Sequence, residues 1–182
     1  SGAVFESGNF VLGAPEFVLG SAYEAYQDTI EEYSAKGYRA LIFGKYEEEL
    51  NGKKLQGQVD PWALILLMNR IREEAPATFA YFNRQGVEVK VISGDNPLTV
   101  SETARQAGIA GAQRYVDART LKTKEELEEA AVNYTGFGRV LPEQKRQLVR
   151  ALQRKGKTVA MTGDGVNDVL ALKDADCRVA MA

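Results

Sequence analysis

Histidine is absent from the 182 residues, and Cys177 is the only cysteine. Without imidazole, serine–histidine hydrolysis, histidine-ligated zinc and imidazole acid–base catalysis are excluded, which leaves carboxylates, lysines and backbone amides as the available chemistry. A single cysteine allows neither a disulfide framework nor a thiolate metal cluster and fits a reducing compartment. No window holds the roughly 18 consecutive apolar residues that a membrane-spanning helix needs. Charge of one sign is also lacking: 23 Lys and Arg against 25 Asp and Glu leave a net charge of -2, so nothing argues for nucleic acid or an acidic membrane surface as partner. The opening Ser1-Gly2-Ala3 carries no initiator methionine and no signal-peptide pattern, so the chain reads as cut from something longer. What remains, 45% hydrophobic and 26% charged residues, is the composition of an ordinary globular protein, long enough for one domain or one domain and a piece of another.

The densest chemistry lies in the stretch from Val159 to Ala182. Val159, Ala160 and Met161 read as a short buried strand that runs into Thr162-Gly163-Asp164-Gly165-Val166-Asn167-Asp168. Gly163 and Gly165 permit positive φ and close backbone approach, while Asp164 and Asp168, across a tight turn into a helix, can converge on one cation. Mg2+ is the natural guest, being hard and content with two carboxylates completed by water and phosphate oxygens. Read alone, Asp164 and Asn167 would equally well shape a turn and cap the next helix.

Along the rest of the chain, Ala3 to Glu6 and Asn9 to Gly13 read as a hairpin turned at Ser7-Gly8. A helix is expected from about Ser21 to Lys36 with Tyr23, Tyr26, Ile30 and Tyr33 as a core stripe, stopped by Gly37. A strand over Tyr38 to Gly44 follows, then a polar loop with Gly52 and Gly57. A boundary falls near Gln58 to Pro61, after which the unbroken apolar run Trp62 to Met68 suggests a strand covered on both faces. Helices are expected over Glu74 to Gln85, with Ala75, Phe79 and Phe82 inward, over Pro97 to Ala107 with Asn96 as cap, over Thr123 to Tyr134 behind a capping box, and over Pro142 to Lys155. Strands are expected over Val87 to Ile92 and Phe137 to Val140. This strand–turn–helix alternation is that of a doubly wound α/β sheet, whose ligands sit at the carboxyl ends of the strands, where Ser93 and Asp164 should emerge.

The sentence MTGDGVNDVLALKDAD closely resembles the hinge motif of the P-type ATPases, a family of the haloacid dehalogenase-like group. Three further segments share the likeness: Phe10 to Glu16 and Gly37-Tyr38-Arg39 resemble parts of that family's nucleotide-binding domain, Ser93-Gly94-Asp95-Asn96 its Thr-Gly-Asp segment, and FGRVLPEQK its Arg-and-Lys segment. The resemblance implies that Asp164 and Asp168 hold catalytic Mg2+, that Ser93 hydrogen-bonds the phosphoryl group and Lys145 faces it, and that Asn167 completes the catalytic loop. It further implies that Arg39 and Arg139 reach ATP phosphates, with Gly94, Asp95, Gly163 and Gly165 shaping the binding loops. Two positions depart from the family: the lysine of its Lys-Gly-Ala-Pro-Glu motif is Leu12, which cannot donate to phosphate, and Asn69 stands where an aspartate is usual.

The implied fold is α/β: a doubly wound, mostly parallel Rossmann-like (haloacid dehalogenase-like) sheet, preceded by part of an α+β nucleotide-binding domain. By the same likeness, residues 1–58 form the C-terminal part of that nucleotide-binding domain, and residues 59–182 a phosphorylation domain lacking its first strand and its last elements. The nucleophilic aspartate of the family's Asp-Lys-Thr-Gly-Thr motif occurs nowhere in the sequence. The leading expectation is therefore a cytoplasmic piece of a calcium-pump-like cation-transporting ATPase that binds Mg2+ and ATP weakly without turnover. Its partners would be ATP, the remainder of the parent ATPase at the membrane and, through a membrane domain absent here, the transported cation, with no nucleic acid. A soluble haloacid dehalogenase-like phosphatase and a non-catalytic nucleotide-sensing module are the alternatives. The first needs an N-terminal Asp-x-Asp that is absent; Leu12 and Asn69 favour the second.

Overall fold

The computed structural model describes residues 1–51, 55, 57–68, 70–163 and 165–181. Of the positions singled out above, Gly52, Asn69, Asp164 and Ala182 lie outside the described residues. The chain divides into two units, Ser1–Arg70 and Ile71–Ala182.

In the first unit the hairpin forms as expected: β1 (Gly2–Phe5) and β2 (Gly8–Gly13) pair antiparallel, with Gly8 at φ 128 taking the turn conformation that a side chain would resist. β3 (Arg39–Tyr46) and β4 (Val59–Leu67) extend the same antiparallel sheet in the order β1-β2-β3-β4. Alternation along β3 buries Ala40, Ile42, Gly44 and Tyr46, and these meet Val11, Val18, Leu19, Ile30 and Val59 in one core. The covering layer is α1 (Pro15–Val18), a 3-10 helix over Gly20–Tyr26 and α2 (Gln27–Ala35).

The structure departs from two expectations in this unit. Of the proposed tyrosine stripe only Ile30 is fully buried; Tyr26 is 41% exposed, and Tyr33 packs edge-on to Tyr38 at 6.0 Å. Tyr23 does pack, partly buried, against the core that holds Ile30; it is Tyr26, the last residue of the 3-10 segment, that turns to solvent where the three-residue period gives way to α2. The run Trp62 to Met68 is not covered on both faces: among the described residues β4 pairs only with β3, and Trp62, Leu67 and Met68 are 56%, 45% and 56% exposed. Leu64 and Leu66 pack against the core, while Trp62 joins Phe10 and Phe43 at ring distances of 5.3 and 6.2 Å. The apolar run thus serves two different rows of one antiparallel strand, which belongs to the first unit.

The second unit alternates helix and strand: α3 (Ala75–Arg84), β5 (Val91–Ile92), α4 (Pro97–Gln106), β6 (Tyr115–Asp117), α5 (Lys124–Asn133), β7 (Gly136–Gly138), α6 (Pro142–Arg154), β8 (Ala160–Gly163), α7 (Val169–Asp174) and β9 (Cys177–Ala180). All pairings are parallel, in a three-stranded sheet β5-β7-β6 and a two-stranded sheet β8-β9. This is the expected Rossmann-like α/β arrangement. The capping signals hold: Asn96 accepts from Leu98 N at 2.9 Å ahead of Pro97, and Thr123 with Glu126 closes a capping box.

Strand lengths do not follow the sequence pattern. Of Val87 to Ile92 only Val91 and Ile92 pair, because β7 offers three residues and, among the described residues, no other strand pairs with β5. Helix α6 ties the unit together, placing Leu148 and Ala151 in the core around Phe137 and Val149 in a second cluster with Ala171 and Ala175.

Candidate functional site

The polar residues of the second unit collect where its parallel strands end. Ser93 follows β5, Asp117 closes β6, Arg139 follows β7, and β8 closes on Gly163 before Asp164, which is outside the described residues.

The structure brings Ser93, Gly94, Asp95 and Arg139 together as one group. Ser93 N donates to Phe137 O at 2.9 Å, Val140 N to Ser93 O at 3.0 Å, and Arg139 N to Asp95 O at 2.9 Å, so the two strand ends are sewn by backbone. The Ser93 hydroxyl accepts from Asp95 N at 3.1 Å and donates to Asp95 Oδ2 at 3.3 Å, and Arg139 Nη1 donates to Gly94 O at 3.2 Å. Arg139 adopts φ 55, the one non-glycine residue with positive φ among those described. Such a conformation costs energy and persists where its surroundings over-determine it, which is common at functional sites. Gly138 makes the approach possible: a Cβ there would lie 2.5 Å from Pro97 N and Cα.

Lys145 and Asp168 form a second group. Lys145 Nζ lies 2.6 Å from Asp168 Oδ1, with the two side chains 13% and 10% exposed. A buried pair of this kind adds little to stability after desolvation, so it speaks for specified geometry rather than for strength. Asp168 ends a 3-10 turn, Val166–Asp168, ahead of α7, and Asp168 N donates to Gly165 O at 3.0 Å. Gly163 clears room for the carboxylate, since a Cβ on it would stand 2.6 Å from Asp168 Cβ and 2.8 Å from Oδ2. Asn167 and Gly165 are exposed on the same turn.

For a hard divalent cation, the described donor fits: a carboxylate with its second oxygen facing a cradle that any side chain at Gly163 would fill. Among the described residues no set of three His, Cys, Asp or Glu side chains converges, and the partner carboxylate named from sequence is Asp164.

Sequence reasoning missed three residues that border these groups. Asp117 is pulled two ways: burial pushes its carboxyl up, but hydrogen bonds from Arg119 and the positive charges of Arg119 and Arg139 outweigh this and hold it below its ordinary value. Arg119 grips it at 2.6 Å. Gln144 joins the start of α6 to the turn after β6. The only sequence signal for Gln144 was its place three residues after the helix N-cap, obscured because that cap is Leu141 rather than Ser or Thr.

Arg39 belongs to the first unit, exposed at the start of β3 opposite Leu67. Leu12, Gly13 and Ala14 border an apolar cavity of about 710 Å³ that Phe17, Val18 and Leu50 also line, and Arg39 is not among its lining residues.

Residues 11–176 match the haloacid dehalogenase-like hydrolase family. The whole chain is 48% identical over 183 residues to a calcium-transporting ATPase, CtpE, of Mycobacterium tuberculosis, of which it covers 23%. It is 44% identical over 177 residues, 96% of its length, to a probable cation-transporting ATPase, exp7, of Streptococcus pneumoniae, of which it covers 22%. Over 94% of its length it is 33% identical to plasma membrane ATPase 1 of Candida albicans, of which it covers 20%. The chain thus spans less than a quarter of the curated relatives it matches. No helix among the described residues is long and apolar enough to cross a membrane.

Proposed function

We propose, from the premise that this chain belongs to the haloacid dehalogenase-like hydrolases, that it is the nucleotide- and phosphoryl-handling part of a P-type cation-transporting ATPase on the cytoplasmic face of a membrane. The carrying observation is the 2.6 Å pair of Lys145 with Asp168 at the carboxyl end of β8, reached from a helix that opens just after Arg139. An ammonium and a carboxylate held together and largely out of water are two of the charges that phosphoryl transfer needs, one to meet phosphoryl oxygens and one to hold a metal.

In this reading Ser93 donates its hydroxyl proton to a phosphoryl oxygen, Lys145 turns its ammonium to the same group, and Arg139 and Arg39 bind ATP phosphates. Gly94 and Asp95 shape the first loop and Gly163, Gly165 and Asn167 the second. Asp164 and Asp168 would hold Mg2+, which supplies neutralisation of phosphate charge. The aspartate that accepts the phosphoryl group comes from outside this chain, so the chain binds without turning over. The first unit, Ser1–Arg70, serves as part of the nucleotide-binding domain and the second, Ile71–Ala182, as part of the phosphorylation domain, a division later than the 58/59 boundary expected from sequence because β4 pairs with β3. The relatives' names support coupling to cation movement in the parent.

Amide NMR of the labelled chain tests this. Mg2+ is expected to shift Gly163, Gly165 and Asp168, and a non-hydrolysable ATP analogue to shift Arg39 and Arg139. Asp168→Asn should abolish the first response. A silent spectrum at millimolar ligand sinks the reading, and steady ATP hydrolysis by the chain, lost in Asp164→Ala, sinks the claim of an external nucleophile.

A further inference from the structure

The Ser93–Arg139 group and the Lys145–Asp168 group are joined by one short passage of chain, from Arg139 through Leu141 to Lys145. That passage leaves β7 through a left-handed residue and must start a helix at Pro142. Its own means of doing so are poor. Pro142 has no N–H, and the N-cap residue, Leu141, has no polar side-chain atom and is 65% exposed. A loosely held first turn would let the Lys145 ammonium drift from Asp168, because Lys145 lies in the opening turns of α6.

Gln144 supplies what is missing, and we infer that it is a positioning residue for the site, resting on the reading of Lys145 and Arg139 given above. Its Oε1 accepts from Leu141 N at 3.0 Å, closing the helix start, and its Nε2 donates to Ala118 O at 2.9 Å. Ala118 is a fixed point: it is 1% exposed, packed in the core around Phe137, and directly follows Asp117, whose carboxylate feels the charge of Arg139. One planar amide therefore bolts the passage that carries both cations to the end of the neighbouring strand. The donor and the acceptor have separate tasks. Oε1 caps the helix, as any Gln or Glu at that position can, whereas Nε2 makes a brace that only a donor can make.

That division sets the test. Gln144→Glu keeps the acceptor for Leu141 N and removes the donor to Ala118 O, while Gln144→Met removes both without adding charge. The readout is the Lys145 ammonium resonance in the ligand-free chain, through its hydrogen-exchange rate, together with the Arg139 and Asp168 amide shifts. Both variants are expected to speed Lys145 ammonium exchange about fivefold, the factor that one hydrogen bond is typically worth, and to move both amides. Thermal melting is recorded alongside; Gln144→Glu, with its cap intact, should melt close to the parent. Should Gln144→Met fail to fold, Gln144→Glu decides alone. Unchanged exchange and amide shifts in Gln144→Glu overturn the inference, whatever the melting temperature does.

A second arm adds inorganic phosphate with Mg2+. Weakening of the phosphate response of Lys145 by about fivefold in Gln144→Glu supports the inference on the same footing. If the parent chain ignores phosphate while the ligand-free effect persists, the phosphoryl reading falls and the brace stands.

Discussion

The two units hold their order by different means. In the first, four strands of four, six, eight and nine residues form one antiparallel sheet, and neighbours along it are set by backbone pairing. In the second, no strand among the described residues exceeds four residues, and long-range side-chain tethers carry what short ladders cannot. Lys90, 9% exposed, pairs with Glu88 and donates to Val132 O and Tyr134 O at the end of α5; Asp174 on α7 accepts from Arg146 and Arg150 on α6; Gln144 reaches Ala118. The unit that carries the candidate site is thus the one whose geometry depends on individual side chains. A backbone ladder tolerates most substitutions, whereas a tether is lost with one.

The largest effect should come from the core of the second unit. Phe137 is 1% exposed, and Phe137→Ala is expected to cost about 3–5 kcal/mol. Urea unfolding followed by circular dichroism should show the loss, while the fluorescence of Trp62, the only tryptophan and a residue of the first unit, keeps its midpoint. If both probes move together, the units unfold as one and the contrast dissolves. Next comes Lys90→Met, which strips the charged donor from two carbonyls and should cost about 1.5–3 kcal/mol by denaturant titration; a change near the surface-mutation level of about 0.5 kcal/mol would show that the tether is ornamental. Thr123→Ala removes the acceptor for Glu126 N and should cost about 1 kcal/mol, read from the melting temperature.

The smallest effect is a pH dependence. The hydrogen bond from Arg146, then that from Arg150, holds the Asp174 carboxyl below its ordinary value of 3.8. A depressed carboxylate stabilises the fold fully above the unfolded value, and that contribution is lost as pH falls through the lower, folded one. The melting-temperature gap between the parent and Asp174→Asn should therefore stay level from neutral pH down to about 5 and close only in more acid solution. A gap that closes near neutrality would mean that the clamp is not what ties α7 to α6.

Helix signals were legible because their chemistry is local. Asn96 with Pro97 and Thr123 with Glu126 act within four residues, so the sequence predicted each start and the structure repeats it. The site was legible in part: the strand-end position of Ser93 follows from the α/β alternation and Ser93 arrives there, whereas Arg139, expected inside a strand over Phe137 to Val140, lies just past one that ends at Gly138. The pairing of Lys145 with Asp168 spans 23 residues, and the reach of Gln144 to Ala118 spans 26, distances over which no periodicity speaks.

By itself, then, the sequence determined what can be decided between near neighbours: where the capped helices begin, that the second half alternates strand with helix, and that Ser93 follows one of its strands. Tertiary structure alone decided that Trp62 to Leu67 joins the first sheet, that Val87 to Lys90 leave their strand unformed, and which carboxylate Lys145 meets. The reason is physical. A helix satisfies its backbone within its own turns, but a strand or an ion pair exists only if a distant segment arrives to complete it.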